Sequence, residues 1–163
     1  MKKYPVFIFV LIISTTVFAQ LKPKPVCGTF VVDVLRGTVN GASANFTIGQ
    51  IKEKLPCPTS EEEESKTAKC GGGIFYKDND VYFYPQRNYI EIGPAFKGQF
   101  SLPVMKSKRG SLYNRLGGPK LKDADWDAYQ TQYGTLVLFY NKASVVNKIV
   151  ITTYSTDELD LCK

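Results

Sequence analysis

The chain has 163 residues, of which 21 are basic, 15 are acidic and none is histidine. The formal net charge is +6, but no basic block with interleaved aromatic residues indicates a nucleic-acid-binding protein. Without histidine there is no Ser-His-Asp triad or Cys-His pair, and the commonest ligand for zinc, copper and non-haem iron is missing. We therefore expect no metal and no cofactor.

Residues 1–19 have the pattern of a signal peptide. A basic start, MKK, precedes an apolar run from Val6 to Phe18, and the small residue Ala19 offers a cleavage position. The run is shorter than the roughly 20 apolar residues that a transmembrane helix needs. We expect a secreted or periplasmic protein with no membrane span after cleavage, with an uncleaved anchor as the alternative.

The even number of cysteines in a secreted chain indicates disulfide bonds, and four cysteines allow three pairings. The four are Cys27, Cys57, Cys70 and Cys162. We favour Cys57–Cys70, which would close the acidic loop containing SEEEESK, and Cys27–Cys162, which would join the two ends of the mature chain. A metal site is the alternative, but the chain has neither a CxxC motif nor histidine.

The first half of the mature chain contains strand and helix patterns in turn. The stretch VCGTFVVDVLRGTVN, from Val26 to Asn40, is rich in β-branched residues and predicts a strand. Thr47 and Gln50 fit a capping box at the start of a helix over Thr47–Leu55. The runs IFY, VYFY and YIEI, separated by the turn sequences KDND and PQRN, predict an antiparallel meander.

The second half repeats this order of elements. The form G-x-[I/L]-x-x-[K/R]-L begins at Gly49 and again at Gly110, and both copies end in proline and lead into aromatic strands. A second helix is therefore expected over residues 109–116. We expect an α+β fold made of two related helix-plus-antiparallel-meander units, residues 20–105 and 106–163, with the helices packed on one face of the sheet.

A family resemblance rests on RGSLYNRLGGPK followed by WDAYQTQYGTLVLFYNKASVVNKIVI. The matching positions are Leu116-Gly117-Gly118-Pro119, Trp126, Tyr129, Gly134, Phe139 and the strand from Val145 to Ile151. This order resembles the repeat unit shared by β-lactamase inhibitor proteins and small outer-membrane assembly lipoproteins. The first half departs from it, because a cysteine loop replaces the Leu-Gly-x-Pro step, and the lipid-site cysteine is absent. The resemblance implies a non-enzymatic, protein-binding module outside the cytoplasm.

Tyrosine-rich strands supply the candidate binding residues. In VYFY, Val81 and Phe83 fall on one face of a strand, and Tyr82 and Tyr84 fall on the other. Tyrosine gives rigid contact area with a polar tip, although strand propensity alone also favours it. Trp126 with Tyr129 either extends this patch or belongs to the core. The predicted binding residues are Tyr82, Tyr84, Trp126 and Tyr129, and the predicted partner is another protein.

These observations favour a secreted or periplasmic protein-binding module, with an inhibitor or immunity-type protein as one form of it. The alternative is a small secreted hydrolase acting on polysaccharide or cell-wall material, because paired carboxylates need no histidine. The candidate acids are Asp78, Asp80, Glu91, Asp123, Asp125 and Asp127. The run DADWD lacks the glycine and the distant glutamate of an EF-hand, which favours a solvated turn over a calcium site.

Overall fold

The computed structural model describes residues 26–63 and 71–161. The predicted signal peptide and the cysteines at positions 70 and 162 lie outside the described residues. Within the described residues there is no helix of sufficient length and hydrophobicity to cross a lipid bilayer.

The described residues form twelve strands and two α-helices, joined by turns. The strands are β1 (Val31–Asp33), β2 (Thr38–Val39), β3 (Ala42–Ser43), β4 (Ser60–Glu62), β5 (Gly73–Tyr76), β6 (Val81–Tyr84), β7 (Tyr89–Ile92), β8 (Gln99–Phe100), β9 (Leu121–Lys122), β10 (Trp126–Gln130), β11 (Thr135–Tyr140) and β12 (Val146–Thr152). The helices are α1 (Ile48–Lys54) and α2 (Tyr113–Leu116), and three short 3-10 turns cover Lys77–Asn79, Pro85–Arg87 and Thr156–Glu158.

Two sheets organise these strands. The large sheet has eight antiparallel strands in the order β4-β5-β6-β7-β12-β11-β10-β9. It is therefore two meanders, β4 to β7 and β9 to β12, that meet where β7 pairs with β12. The small sheet has the order β3-β2-β1-β8, and β8 runs parallel to β1.

The main core lies between one face of the large sheet and the layer made by the small sheet and α1. Alternate residues of the large-sheet strands point into it, which is the pattern expected for a sheet with one face buried. Its fully buried members include Val32 and Val39 of the small sheet, Ile51 of α1, and Ile74, Phe83, Ile90, Leu136, Leu138, Ile149 and Ile151 of the large sheet. We call the opposite side of the large sheet the outer face.

The capping box predicted for the first helix is confirmed. Thr47 is the N-cap of α1: its hydroxyl accepts a hydrogen bond from the Gln50 backbone N–H at 3.3 Å, and the Gln50 side chain accepts one from the Thr47 N–H at 3.0 Å. Leu55 follows as the C-cap and is buried in the main core. The predicted meander is also present, as β5, β6 and β7.

The predicted α+β class with two helix-plus-meander units is wrong, because the protein is mostly β, with 36% strand and 16% helical residues. The helix expected over residues 109–116 is reduced to the single turn of α2. Gly110 adopts a φ of +84°, which a right-handed helix does not allow, and Leu112 provides no side-chain cap. The small sheet, which the prediction lacked, packs together with α1 on the face of the large sheet where two helices were expected.

The strand predicted from Val26 to Asn40 is instead a hairpin of β1 and β2. The chain reverses at residues 34–37, where the Asp33 side chain accepts hydrogen bonds from the backbone N–H groups of Leu35 and Arg36, both at 3.1 Å. Gly37 has a φ of +66°, and a Cβ there would meet the Tyr133 ring at 2.5 Å. A glycine is therefore required at the end of this turn.

A disulfide bond joins Cys27 to Cys57, whose Cα atoms are 5.4 Å apart. The favoured pairings Cys57–Cys70 and Cys27–Cys162 are therefore wrong. The bond forms because both cysteines pack against the main core, Cys27 just before the small sheet and Cys57 just after α1. Proximity in space, which the sequence did not reveal, decides the pairing.

We predict that all four cysteines are oxidised, which by elimination pairs Cys70 with Cys162. Peptide mapping without reduction should recover the Cys27–Cys57 peptide and a second peptide containing the other two cysteines. Thiol titration of the unfolded, unreduced protein should find almost no free thiol. Two free thiols per chain would contradict this prediction.

Replacement of Cys27 and Cys57 by serine should lower the free energy of unfolding by about 2–4 kcal/mol, the usual range for a closed loop of this kind. The bond spans 30 positions of the sequence, so its loss frees a long loop in the unfolded state. Urea denaturation followed by tryptophan fluorescence would measure the change. An unchanged denaturation midpoint would show that the bond contributes little.

Candidate binding face of the large sheet

Strand β6 places the two tyrosines of VYFY on the outer face. Val81 and Phe83 are fully buried in the main core, whereas Tyr82 and Tyr84 are half-buried on the opposite side. The alternation follows from the period of two residues in a strand. Burying the side chains that have no polar atom leaves the two phenols where they can reach water.

Tyr82 is part of a stripe of side chains that crosses six strands of the outer face. The strand register sets Phe75 opposite Tyr82, Tyr82 opposite Glu91, Lys148 opposite Phe139, and Phe139 opposite Trp126. We call this set the outer stripe: Phe75, Tyr82, Glu91, Lys148, Phe139 and Trp126. At about 4.8 Å between neighbouring strands, it extends roughly 24 Å across the sheet.

An ion pair lies at the centre of the outer stripe. The Lys148 ammonium is 3.3 Å from the Glu91 carboxylate and 4.4 Å from the centre of the Phe139 ring. The pair bridges β7 and β12, the strands at which the two meanders meet. Both side chains are partly exposed, so the pair contributes little to stability but fixes two charges between two groups of aromatic rings.

Aromatic contacts hold the Tyr82 end of the stripe. The Phe75 ring centre lies 5.8 Å from that of Tyr82 and 5.4 Å from that of Tyr84, and Tyr84 lies 5.8 Å from Tyr89. These tilted and edge-on arrangements are the ones that aromatic pairs prefer. Phe75 is itself buried, so the two tyrosines rest on a fixed base.

The C-terminal segment, residues 153–161, covers the neighbouring part of the outer face. Gln130 Oε1 accepts hydrogen bonds from the backbone N–H and the hydroxyl of Thr156, both at 2.9 Å, and the Thr135 hydroxyl donates to the Tyr154 carbonyl at 2.8 Å. Leu159 and Leu161 pack against a second buried cluster, whose members are Tyr89, Ala128, Val137 and Val150. The outer stripe lies beside this covered region.

The structure separates the four predicted binding residues. Tyr82, Tyr84 and Trp126 are half-buried on the outer face, whereas Tyr129 is 2% exposed and belongs to the main core. Trp126 and Tyr129 are three positions apart on β10, so they point to opposite faces of the sheet. Tyr129 therefore belongs to the core, whereas Trp126 lies on the same face of the sheet as Tyr82 and Tyr84.

The two environments affect the phenols differently. Burial raises the pKa of Tyr129 to about 12. The pKa of Tyr82 is also raised, first by partial burial and then by the nearby charge of Asp80, which accepts a hydrogen bond from the Tyr82 phenol, and by Glu91. Both hydroxyls therefore stay protonated at neutral pH, and the Tyr82 hydroxyl is the donor in its hydrogen bond to Asp80.

We predict that Tyr129 contributes to a loss of stability at alkaline pH, together with Tyr76, Tyr133 and Tyr140, whose pKa values burial also raises. The pKa of Tyr129 is raised on folding from about 10, so its stabilisation is complete below pH 10 and is lost as the pH rises through 12. Urea denaturation between about pH 8 and 11.5 should show this fall, and Tyr129→Phe should make it less steep, because Phe has no proton to lose. The exposed Tyr154, changed to Phe, is the control; the same slope in wild type and Tyr129→Phe would contradict the assignment.

Four of the six candidate catalytic acids make structural contacts: Asp80, Glu91, Asp123 and Asp127. Asp80 accepts a hydrogen bond from the Ala95 N–H at 2.7 Å, Asp123 accepts one from the Ala124 N–H at 2.7 Å, and Glu91 pairs with Lys148. Asp78 and Asp125 are exposed in turns. Among the described residues, no group of three or more cysteine, aspartate or glutamate side chains is placed to hold a metal ion.

Asp127 is fully buried on the core side of β10, and the Arg109 guanidinium contacts both of its carboxylate oxygens. The guanidinium donates to Oδ2 at 3.2 Å and to Oδ1 at 2.5 Å, and the Tyr140 hydroxyl donates to Oδ2 at 2.9 Å. Arg109 also donates to the carbonyls of Asp123 and Ala124 at 2.7 and 2.9 Å. The hydrogen bond to Asp127 raises the pKa of Arg109. The cluster fastens the segment before α2 to β10.

We predict that Asp127→Ala lowers the free energy of unfolding by about 3–5 kcal/mol, because removal of one partner leaves a partly buried guanidinium without its counter-charge. Tyr140→Phe should cost about 1.5–3 kcal/mol, the range for one hydrogen bond to a charged group. Chemical denaturation measures both. Replacement of the exposed Asp125 by Ala is the control, and equal effects at Asp127 and Asp125 would rule out a structural role for the buried pair.

Sequence reasoning missed three members of the outer stripe: Phe75, Phe139 and Lys148. Phe139 follows Leu138 and precedes Tyr140 in TLVLFY, a run so apolar that alternation does not reveal which residues face outward. The pairing of Lys148 with Glu91 depends on the contact between β12 and β7, which lie far apart in the chain. Only the pairing of the strands shows which of these residues lie together on the outer face.

No family model, curated protein or solved structure matches the chain. The resemblance to β-lactamase inhibitor proteins and assembly lipoproteins therefore stays a prediction.

Proposed function

We propose that this is a secreted or periplasmic, non-enzymatic protein that binds another protein through the outer stripe and Tyr84. The observation that carries the proposal is the stripe across six strands, in which four aromatic side chains, three of them half-buried, flank the Glu91–Lys148 ion pair. Aromatic residues are enriched in protein interfaces, and fixed charges among them set the register of a partner.

The strands that carry the outer stripe hold the backbone beneath its side chains in place. Tyr82 and Trp126 lie on central strands with a paired strand on each side, and Phe139 lies on β11 between β10 and β12. Side chains on such strands lose little backbone entropy when a partner binds. A preorganised surface of this kind suits contact with a folded protein.

The Cys27–Cys57 disulfide fits a protein that folds outside the cytoplasm. The finer assignment to a secreted or periplasmic location rests on the pattern of residues 1–19. An inhibitor or immunity-type protein is one form of the proposed function, since blocking another protein needs a rigid binding surface and no catalytic group.

The hydrolase alternative has weaker support. Asp80 and Glu91 both lie near Tyr82, but a backbone N–H holds the first and Lys148 holds the second. Glycoside hydrolysis needs two carboxyl groups that flank the substrate bond. Both of these carboxyl groups are already occupied by contacts within the protein.

We predict that the double change Tyr82→Ala and Tyr84→Ala weakens partner binding by at least about 2 kcal/mol while the protein stays folded. The reason is that both rings lie on the outer face and leave the main core intact. Partners would be captured from envelope and secreted fractions with the wild-type protein, then measured by titration calorimetry. Tyr154→Ala removes an exposed tyrosine that lies outside the stripe and is the matched control.

Two results would contradict the proposal. One is a double variant that folds, as judged by its denaturation curve, and binds the captured protein as tightly as wild type. The other is turnover of a polysaccharide or cell-wall substrate by the wild-type protein that Asp80→Asn or Glu91→Gln abolishes. The second result would support the hydrolase instead.

A further inference from the structure

The Asp80 carboxylate lies on the outer face of the large sheet, above Gly93. The Gly93 N–H donates to the Asp80 carbonyl at 2.9 Å, which continues the pairing of β6 with β7 by one residue. Gly93 follows Ile92, which points into the main core, so a side chain at Gly93 would point to the outer face. A Cβ atom there would collide with the Asp80 carboxylate. The glycine is therefore what makes room for this carboxylate.

Hydrogen bonds to the backbone hold Asp80 in this place. It ends the 3-10 turn Lys77–Asn79 with a φ of +56°, a conformation that aspartate tolerates, and its N–H donates to the Lys77 carbonyl at 3.2 Å. Its carboxylate accepts a hydrogen bond from the Ala95 N–H at 2.7 Å. Together with the bond from the Gly93 N–H, these contacts fix both the main chain and the carboxylate of Asp80.

Tyr82 lies beside this carboxylate. It reaches the same face because it alternates with the buried Val81 and Phe83 in β6, and its hydroxyl donates a hydrogen bond to Asp80. The Phe75 ring, whose centre is 5.8 Å from that of Tyr82, supports the phenol from the neighbouring strand. A phenol has one proton to donate, and Asp80 accepts that hydrogen bond. The lone pairs of the Tyr82 oxygen therefore remain to accept a hydrogen bond from a partner.

We propose that Asp80 is a positioning residue of the outer stripe: by accepting the hydrogen bond of the Tyr82 hydroxyl, it presents the phenol oxygen as an acceptor for an N–H donor of the partner protein. This inference rests on the proposed function, because it concerns the same surface. Glu91 lies opposite Tyr82 on β7, so a second carboxylate stands near the phenol. Both carboxylates favour a donor at this point of the partner, such as a backbone N–H or a Lys or Arg side chain, over a carbonyl or carboxylate oxygen.

A titration that needs no partner tests the contact between Asp80 and Tyr82. Tyrosine is labelled with carbon-13 at Cζ, and the Tyr82 signal is assigned by its loss in Tyr82→Phe. We expect the pKa of Tyr82 to lie above its ordinary value in the wild type and to fall towards that value in Asp80→Asn, because this change removes a charge and a carboxylate acceptor beside the phenol. Asp78→Asn removes an exposed carboxylate of the same turn and should leave the pKa of Tyr82 unchanged.

Binding is then measured by titration calorimetry with the protein that the wild-type chain captures from envelope and secreted fractions. Tyr82→Phe and Asp80→Asn should each weaken binding by about three- to tenfold, the effect of one hydrogen bond. The double variant should bind no more weakly than either single variant, because Asp80 acts through the Tyr82 hydroxyl. Gly93→Ala keeps the Asp80 charge but displaces the carboxylate, so it should weaken binding by a similar factor. Denaturation curves show whether each variant is folded, and Gly93→Ala decides the question if Asp80→Asn is not.

Three results would overturn the role of Asp80: an unchanged pKa of Tyr82 in Asp80→Asn, full binding by a folded Asp80→Asn variant, or losses of affinity that add in the double variant. The joint change Tyr82→Ala and Tyr84→Ala separates this inference from the proposed function. If that change weakens binding and Asp80→Asn does not, the outer stripe is still the binding surface and only the role of Asp80 is wrong. If neither change affects binding, the proposed function is wrong as well.

Discussion

The antiparallel pairing of β7 with β12 is the contact on which the rest of the fold depends. It sets Ile92 opposite Ile149 and Ile90 opposite Ile151 on the core side, and Glu91 opposite Val150 on the outer side. Without it, each meander would have an unpaired edge strand rich in apolar residues. A slip of β7 by one residue would turn Ile90 and Ile92 outward and bring Glu91 into the core, a cost that fixes the register.

Once that register is fixed, parity decides which aromatic residues meet. Tyr82, Phe139 and Trp126 reach the outer face because each alternates with residues that the core requires. Tyr129 has the opposite parity and lies in the main core, close to the pair of Arg109 and Asp127. Core packing on one side of the sheet therefore decides which positions form the outer stripe. It does not decide which residue types occupy those positions.

The sequence predicts the local elements of this fold better than their assembly. The capping box of Thr47 and Gln50 and the alternation in VYFY depend on neighbouring residues, and both are present. The reversal at residues 34–37 depends on Gly37 lying against the Tyr133 ring, and the contact of Arg109 with Asp127 of β10 fixes the segment before α2. The disulfide pairing is likewise a property of the packed core. Each miss concerns a contact between distant parts of the chain, which periodicity cannot encode.

The turn from Tyr84 to Asn88 fixes one edge of the outer face. Tyr84 belongs to that face, and Arg87 lies 4.0 Å from Asp160 of the C-terminal segment. Proline fixes φ at the start of this 3-10 turn, and Asn88 ends it with a φ of +47°, its N–H donating to the Pro85 carbonyl at 3.2 Å. The proline ring and this hydrogen bond both restrain the turn that follows Tyr84. Tyr84 therefore loses little backbone freedom when a partner binds the outer face.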